Sequence, residues 1–132
     1  MFIISVGIMI CLIRLKNIQK ALYTLDKEFL EDNSVTLNEA FILYSLYNKK
    51  TSCASYLSNQ IGLSNSRTSR ILENLEIKKY IIRKIGKPDK RKMIFSLTDK
   101  GREKIKEIQS RENKYTEFII RLVKMIKEII TP

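Results

Sequence analysis

Leu57-Ser58-Asn59-Gln60-Ile61-Gly62-Leu63-Ser64 followed by Asn65-Ser66-Arg67-Thr68-Ser69-Arg70-Ile71-Leu72 is the stretch on which the fold turns. Residues 53–61 have the composition of a short helix. Gly62 supplies the left-handed residue that ends it and turns the chain sharply. Ser64 is a helix N-cap, because its hydroxyl can accept a bond from an orphan backbone N–H of the next first turn. The helix it opens runs from Asn65 to about Lys79. Thr68, Ile71, Leu72 and Leu75 recur at spacings of three and four and form its inner face. Asn65, Ser66, Ser69 and Arg70 then point away from the body.

Outward from this pair, Tyr80-Ile81-Ile82-Arg83-Lys84-Ile85 and Met93-Ile94-Phe95-Ser96-Leu97 are β-branched or aromatic runs, the second alternating with Met93, Phe95 and Leu97 on one face. The segment between them holds Gly86, Pro88 and Asp89 and reads as a hairpin loop. Upstream, Thr36-Leu37-Asn38-Glu39 is a capping box that starts a helix running to about Tyr47. Thr51 or Ser52 is a plausible cap for the short helix. Together these elements have the layout of a winged helix-turn-helix, whose second helix enters the DNA major groove.

Charge sits on the same unit. Residues 65–92 contain ten Lys/Arg against three Asp/Glu, a net +7 of the +11 on the whole chain. Localised basic charge on one structural unit is the electrostatic footprint of a phosphate-binding surface. Small hydroxyls and an amide in a first helical turn can bond base edges, and an arginine can grip guanine bidentately. The expected DNA contacts on the helix are Ser64, Asn65, Ser66, Arg67, Ser69 and Arg70. On the hairpin they are Lys87, Lys90, Arg91 and Lys92, since a narrow basic tip can reach the minor groove. Asp89 is expected to pair with a neighbouring arginine and steady the tip.

The flanks read as helices. Residues 3–30 form one helix, amphipathic after Arg14 through Leu15, Ile18, Leu22, Leu25 and Phe29, and residues 31–34 read as a loop. Ile105, Ile108, Tyr115, Ile119, Leu122, Ile126 and Ile129 repeat by threes and fours in the last stretch, with Glu112 at the one polar position, as in a helix–helix seam. A chain of 132 residues cannot bury both apolar ends alone, so they are expected to meet each other and a second subunit. The expected dimer contacts are Ile8, Cys11, Leu12, Tyr115, Ile119, Leu122, Ile126 and Ile129. The expected organisation is therefore mainly α with a small β-hairpin wing. Residues 1–34 and 99–132 would form the dimerisation region around a winged unit of residues 35–98, in one structural domain per chain.

Residues 35–101 resemble the MarR family of bacterial transcription regulators. Residues 57–64 look like its helix-turn-helix, Thr68-Ser69-Arg70-Ile71-Leu72-Glu73-Asn74-Leu75-Glu76 like its recognition helix, and Asp89-Lys90-Arg91 like its Asp-x-Arg wing motif, followed by Leu97-Thr98-Asp99-Lys100-Gly101. The resemblance implies a homodimer on a pseudo-palindromic double-stranded operator, usually a repressor, with Arg91 in the minor groove and Asp89 steadying the wing. It also implies a small-molecule effector, for which Tyr23, Tyr44 and Tyr47 are candidate contacts. Ser58 stands where the family usually has Ala, and Thr68 where it has an aliphatic residue.

Other classes find little support. The chain has no His, and Gly7, Gly62, Gly86 and Gly101 are scattered, so no usual triad, zinc site or phosphate-cradling loop can be assembled. No enzyme activity, cofactor or metal is expected. The two cysteines, Cys11 and Cys53, fit a reducing cytoplasm and read as small core hydrophobes. Some members of that family sense oxidants through a first-helix cysteine, where Cys11 lies, but an apolar setting makes a thiol inert. The apolar run of residues 2–13 is shorter than the ~20 residues of a membrane span, and its charges follow rather than precede it. The alternative to a regulator is a membrane-surface protein held by that run and the basic patch.

Overall fold

The computed structural model describes residues 2–86 and 91–130, with side chains over 7–86 and 91–129. In chain order the elements are α1 (Phe2–Asn33), α2 (Leu37–Lys49), β1 (Thr51–Cys53), α3 (Ala54–Ile61), α4 (Asn65–Ile77), β2 (Ile81–Ile85), β3 (Met93–Leu97), α5 (Asp99–Ser110), a 3-10 turn (Glu112–Tyr115) and α6 (Thr116–Ile130). They form two compact units. One holds residues 1–34 and 111–132, the other residues 35–110.

In the second unit, α2 begins at the expected capping box: the Thr36 hydroxyl accepts the Glu39 N–H and the Glu39 carboxylate accepts the Thr36 N–H, both at 3.0 Å. The core combines Ile42, Leu43 and Leu46 of α2, Leu57 of α3, Leu72 and Leu75 of α4, Ile81, Phe95 and Leu97 of the strands, and Ile105 of α5. Glu39 is itself buried, and Lys78 at the end of α4 answers its charge at 3.0 Å. A buried carboxylate without such a partner would be strongly destabilising. One side chain thus closes the start of α2 and holds the end of α4.

The three strands form an antiparallel sheet in the order β1-β3-β2. β1 corrects the sequence reading. Thr51 and Ser52 do not cap α3; Thr51, Ser52 and Cys53 pair with Ser96, Phe95 and Ile94 of β3. Cys53 occupies the N-cap position of α3 and makes no side-chain cap bond. A three-residue strand has no periodicity of its own, and its partner lies some forty residues on.

Gly62 has φ 73° and ψ 28° and closes α3 as expected. Ser58 adds a second fastening, its hydroxyl donating to the Leu63 carbonyl at 2.7 Å. The serine in place of alanine therefore ties the turn of the helix pair. Thr68 has the opposite effect. It is fully buried, and its hydroxyl has no hydrogen-bond partner among the described residues. An unpaired buried hydroxyl costs about 1–3 kcal/mol. Thr68→Val keeps the shape and removes the polar atom, so it should raise unfolding stability by about 1 kcal/mol, read as a higher urea midpoint. A lower midpoint would mean that the hydroxyl is satisfied in solution.

The end of α4 is fixed from several sides. Lys79 takes φ 65°, and Tyr80 N–H reaches back to the Leu75 carbonyl at 3.0 Å. The Thr98 hydroxyl donates to the Lys79 carbonyl at 2.6 Å and accepts the Gly101 N–H at 3.0 Å. Gly101 then lies so close that a Cβ there would stand 2.2 Å from the Tyr80 carbonyl oxygen. The Leu97-Thr98-Asp99-Lys100-Gly101 motif is therefore the seat of the α4–β2 corner.

In the first unit, α1 and α6 pair along half-buried faces, Cys11, Arg14, Ile18, Ala21 and Leu25 on one and Phe118, Leu122, Met125 and Ile129 on the other. Arg14 donates to the Glu128 carbonyl at the end of α6. Two sequence expectations change here. Residues 31–33 are helical, because Asp32 and Asn33 have partners: Lys114 and Tyr115 each reach the Asp32 carboxylate at 2.7 Å, and Asn33 donates to Tyr115 at 3.2 Å. Those contacts hold the Asp32 carboxyl below its usual range, through Lys114 first, and burial together with Asp32 pushes the Tyr115 phenol up to about 12. The apolar seam expected along the final stretch is not continuous either. It breaks at the 3-10 turn, and the two parts belong to different units, Ile105 in the core of the second and Tyr115 stacked on Phe29 of the first at 5.6 Å between ring centroids.

Candidate nucleic-acid interface

α4 presents two chemically distinct faces. Thr68, Leu72 and Leu75 are buried, whereas Asn65, Ser66, Arg67, Ser69 and Arg70 are exposed. The outer set is the one expected to meet base edges. Ser64 is committed as the cap, its hydroxyl accepting the Arg67 N–H at 3.3 Å. Arg67 and Arg70, one helical turn apart, line a shallow groove with Asn74 of α4 and with Thr36, Asn38 and Glu39 at the start of α2, the Glu39 carboxylate being paired with Lys78. Two guanidinium groups beside an amide make a surface suited to phosphate or to the acceptor atoms of guanine.

The hairpin supplies the second cationic element. Lys84, Arg91 and Lys92 are exposed on it. Lys87, Asp89 and Lys90 lie outside the described residues. Arg83, which composition alone would count with the phosphate contacts, is engaged instead. Its Nη2 and Nε donate to Glu76 Oε1 at 2.7 and 3.1 Å, and its guanidinium stands 5.3 Å from the centroid of the Phe95 ring. Sequence reading missed this pair, because seven residues across a turn carry no periodic signal.

The cysteines are half-buried rather than fully inside. Cys53 Sγ lies 3.3 Å from the Ser55 hydroxyl, and that contact with the Tyr56 backbone holds its thiol below the usual range. Cys11 lies on the α6-facing side of α1. Tyr23 is exposed on α1 beside Lys16 and Lys20 in the first unit, and Tyr44 and Tyr47 are exposed on α2 in the second. Along the 3-10 turn and α6 the expected seam divides. Tyr115, Leu122 and Ile129 are half-buried, while Ile119 and Ile126 are exposed together with Ile120 and Val123. Ile8 and Leu12 of α1 are exposed as well. Among the described residues no helix is long and apolar enough to cross a membrane, and no group of three acidic, cysteine or histidine side chains could hold a metal.

A helix-turn-helix with a basic outer face, backed by a three-stranded sheet whose hairpin carries cations, defines a class of protein. Over residues 39–111, more than half of the chain, the sequence matches the family described as winged helix DNA-binding domain. The chain belongs to that family. Within it, the fold is that of the MarR-family structures. AbsC, a MarR family transcriptional regulator from Streptomyces coelicolor, superposes with a TM-score of 0.74 at 19% identity, covering 88% of this chain and 84% of its own. A mutant of E. coli MarR complexed with operator DNA gives 0.70 at 17% identity, over 89% and 92%. The transcriptional repressor CouR, bound to a 23-mer DNA duplex, gives 0.70 at 22%, over 85% and 88%. No curated protein matches the chain in sequence.

Proposed function

We propose that the protein is a homodimeric MarR-type transcription regulator, acting in the cytoplasm as a repressor on a pseudo-palindromic double-stranded operator. α4 is the recognition helix, with Asn65, Ser66, Arg67, Ser69 and Arg70 toward the major groove. The β2–β3 hairpin is the wing, with Lys87, Lys90, Arg91 and Lys92 toward the minor groove and Asp89 steadying it. The observation that carries this reading is the polar and cationic face of α4, which is held outward by a buried apolar face and an anchored C-terminal corner. MarR and CouR, which share the fold, are each seen on DNA. A small effector would release the operator, with Tyr23, Tyr44 and Tyr47 as its proposed contacts. Ile8, Cys11, Leu12, Tyr115, Ile119, Leu122, Ile126 and Ile129 are the proposed dimer region.

The test is base preference. A duplex selected from a random pool by the wild-type protein defines the operator. Arg70→Ala should then change which base is preferred at one position of each half-site, at about 1–3 kcal/mol for a lost bidentate contact. Equal weakening on every sequence would make Arg70 a phosphate contact and move the reading residue elsewhere. Failure to select any duplex would remove the proposal itself. One observation favours the membrane-surface alternative: Ile8, Met9, Ile10, Leu12 and Ile13 are exposed on successive sides of α1. Sedimentation with anionic vesicles, in place of binding to duplex, would support it.

A further inference from the structure

The corner between α4 and β2 is closed by charge as well as by backbone. Glu76 lies in the last turn of α4, Arg83 in the middle of β2, and the short turn between them carries the left-handed Lys79. Beyond Ile81 every residue of β2 is exposed, so burial of apolar surface does little to hold that strand at one tilt. Arg83 crosses the corner with two N–H groups on one Glu76 oxygen, and its guanidinium is seated over Phe95, its cross-strand partner in the core. Paired N–H contacts to a carboxylate fix direction as well as distance.

We propose that Glu76 and Arg83 are positioning residues for DNA recognition: they form a strut that sets the angle between the recognition helix and the wing. The inference rests on the DNA-binding reading above. Its rival is the simpler account in which Arg83 grips a phosphate and Glu76 is a bystander. The two accounts make opposite predictions for Glu76. A carboxylate on a phosphate-facing unit repels the duplex, so its removal should tighten binding if only charge matters. Under the strut, removal frees the wing and binding weakens although a negative charge has gone.

Glu76→Gln, Arg83→Gln and the double variant, each as the full chain, are titrated against the duplex selected by the wild-type protein. Each single variant should weaken binding by roughly tenfold, and the double variant should be no worse than the weaker single, as coupled neighbours behave. The slope of log affinity against log salt should stay at the wild-type value in all three. A lost phosphate contact would instead reduce it by about 0.9. Footprinting at saturating protein should show the wild-type pattern in both grooves, because the wing still makes its contacts once its angle is set. In the free protein, amide exchange in β2 should accelerate while the exchange of α2 is unchanged. Binding by Glu76→Gln that is equal to or tighter than wild type would overturn the strut and leave the DNA-binding reading intact. So would a shallower salt slope confined to Arg83→Gln. A wild-type protein that selects no duplex would overturn both.

Discussion

Ile119→Asp combined with Ile126→Asp should convert the protein to a monomer and abolish specific operator binding. α6 carries two apolar faces. Phe118, Leu122, Met125 and Ile129 are half-buried within the chain, while Ile119, Ile120, Val123 and Ile126 are 55%, 62%, 45% and 43% exposed. A soluble helix normally shows one apolar stripe, so a second stripe marks a surface that something else covers. In the proposed dimer a two-fold partner would cover it with the same patch and repeat every loss. Each isoleucine contributes about 1.5–3 kcal/mol when fully buried, and an aspartate in its place adds an unpaired charge. The choice of positions follows from the fold: Leu122 faces inward, so its replacement would damage the subunit itself and confuse the result. Light scattering beside a gel shift on the palindromic duplex makes the check. A monomer that binds the full palindrome with unchanged affinity would exclude this face as the dimer interface.

The second large effect is on salt. Raising it from 50 to 200 mM should weaken operator binding by roughly 10³–10⁵-fold, the loss expected of a protein that makes about 6–10 phosphate contacts. The structure reduces the number of cations that can contribute. Of the ten Lys/Arg in residues 65–92, Lys78 pairs with the buried Glu39 and Arg83 with Glu76. Arg67, Arg70, Lys79, Lys84, Arg91 and Lys92 remain exposed among the described residues. Two subunits of the proposed dimer would still supply enough for a steep slope, but not twenty contacts. Affinity measured across that salt range on the selected duplex tests it, and a flat dependence would refute the electrostatic assignment.

What was legible in the sequence was what is encoded locally. Thr36 and Glu39, Gly62, and Ser64 each act within four residues, through a cap or a left-handed turn, and all three appear where the sequence places them. The inner face of α4 follows from spacing alone. What escaped depends on partners distant along the chain. Thr51-Ser52-Cys53 becomes a strand only through β3, and the Glu76–Arg83 pair only through the corner at Lys79. The break before α6 was hidden because the apolar repeat continues through it in register, with Glu112 as the sole interruption. α1 runs on through Asn33 because Lys114 and Tyr115, some eighty residues away, complete its last turn. The DNA contacts, the dimer surface and the effector tyrosines carry no local backbone signal and are marked by residue type and exposure alone.

β2 is an outer strand of the sheet, and three of its five residues are isoleucine. An unpaired edge of that composition is a template on which a second chain can add a strand. Arg83 and Lys84 interrupt it at the centre; Arg83 is paired with Glu76, so Lys84 is the charge that an approaching copy would meet with its own. This cation therefore has a duty that exists without any nucleic acid. A charged side chain at the centre of an edge strand opposes edge-to-edge stacking of two hairpins.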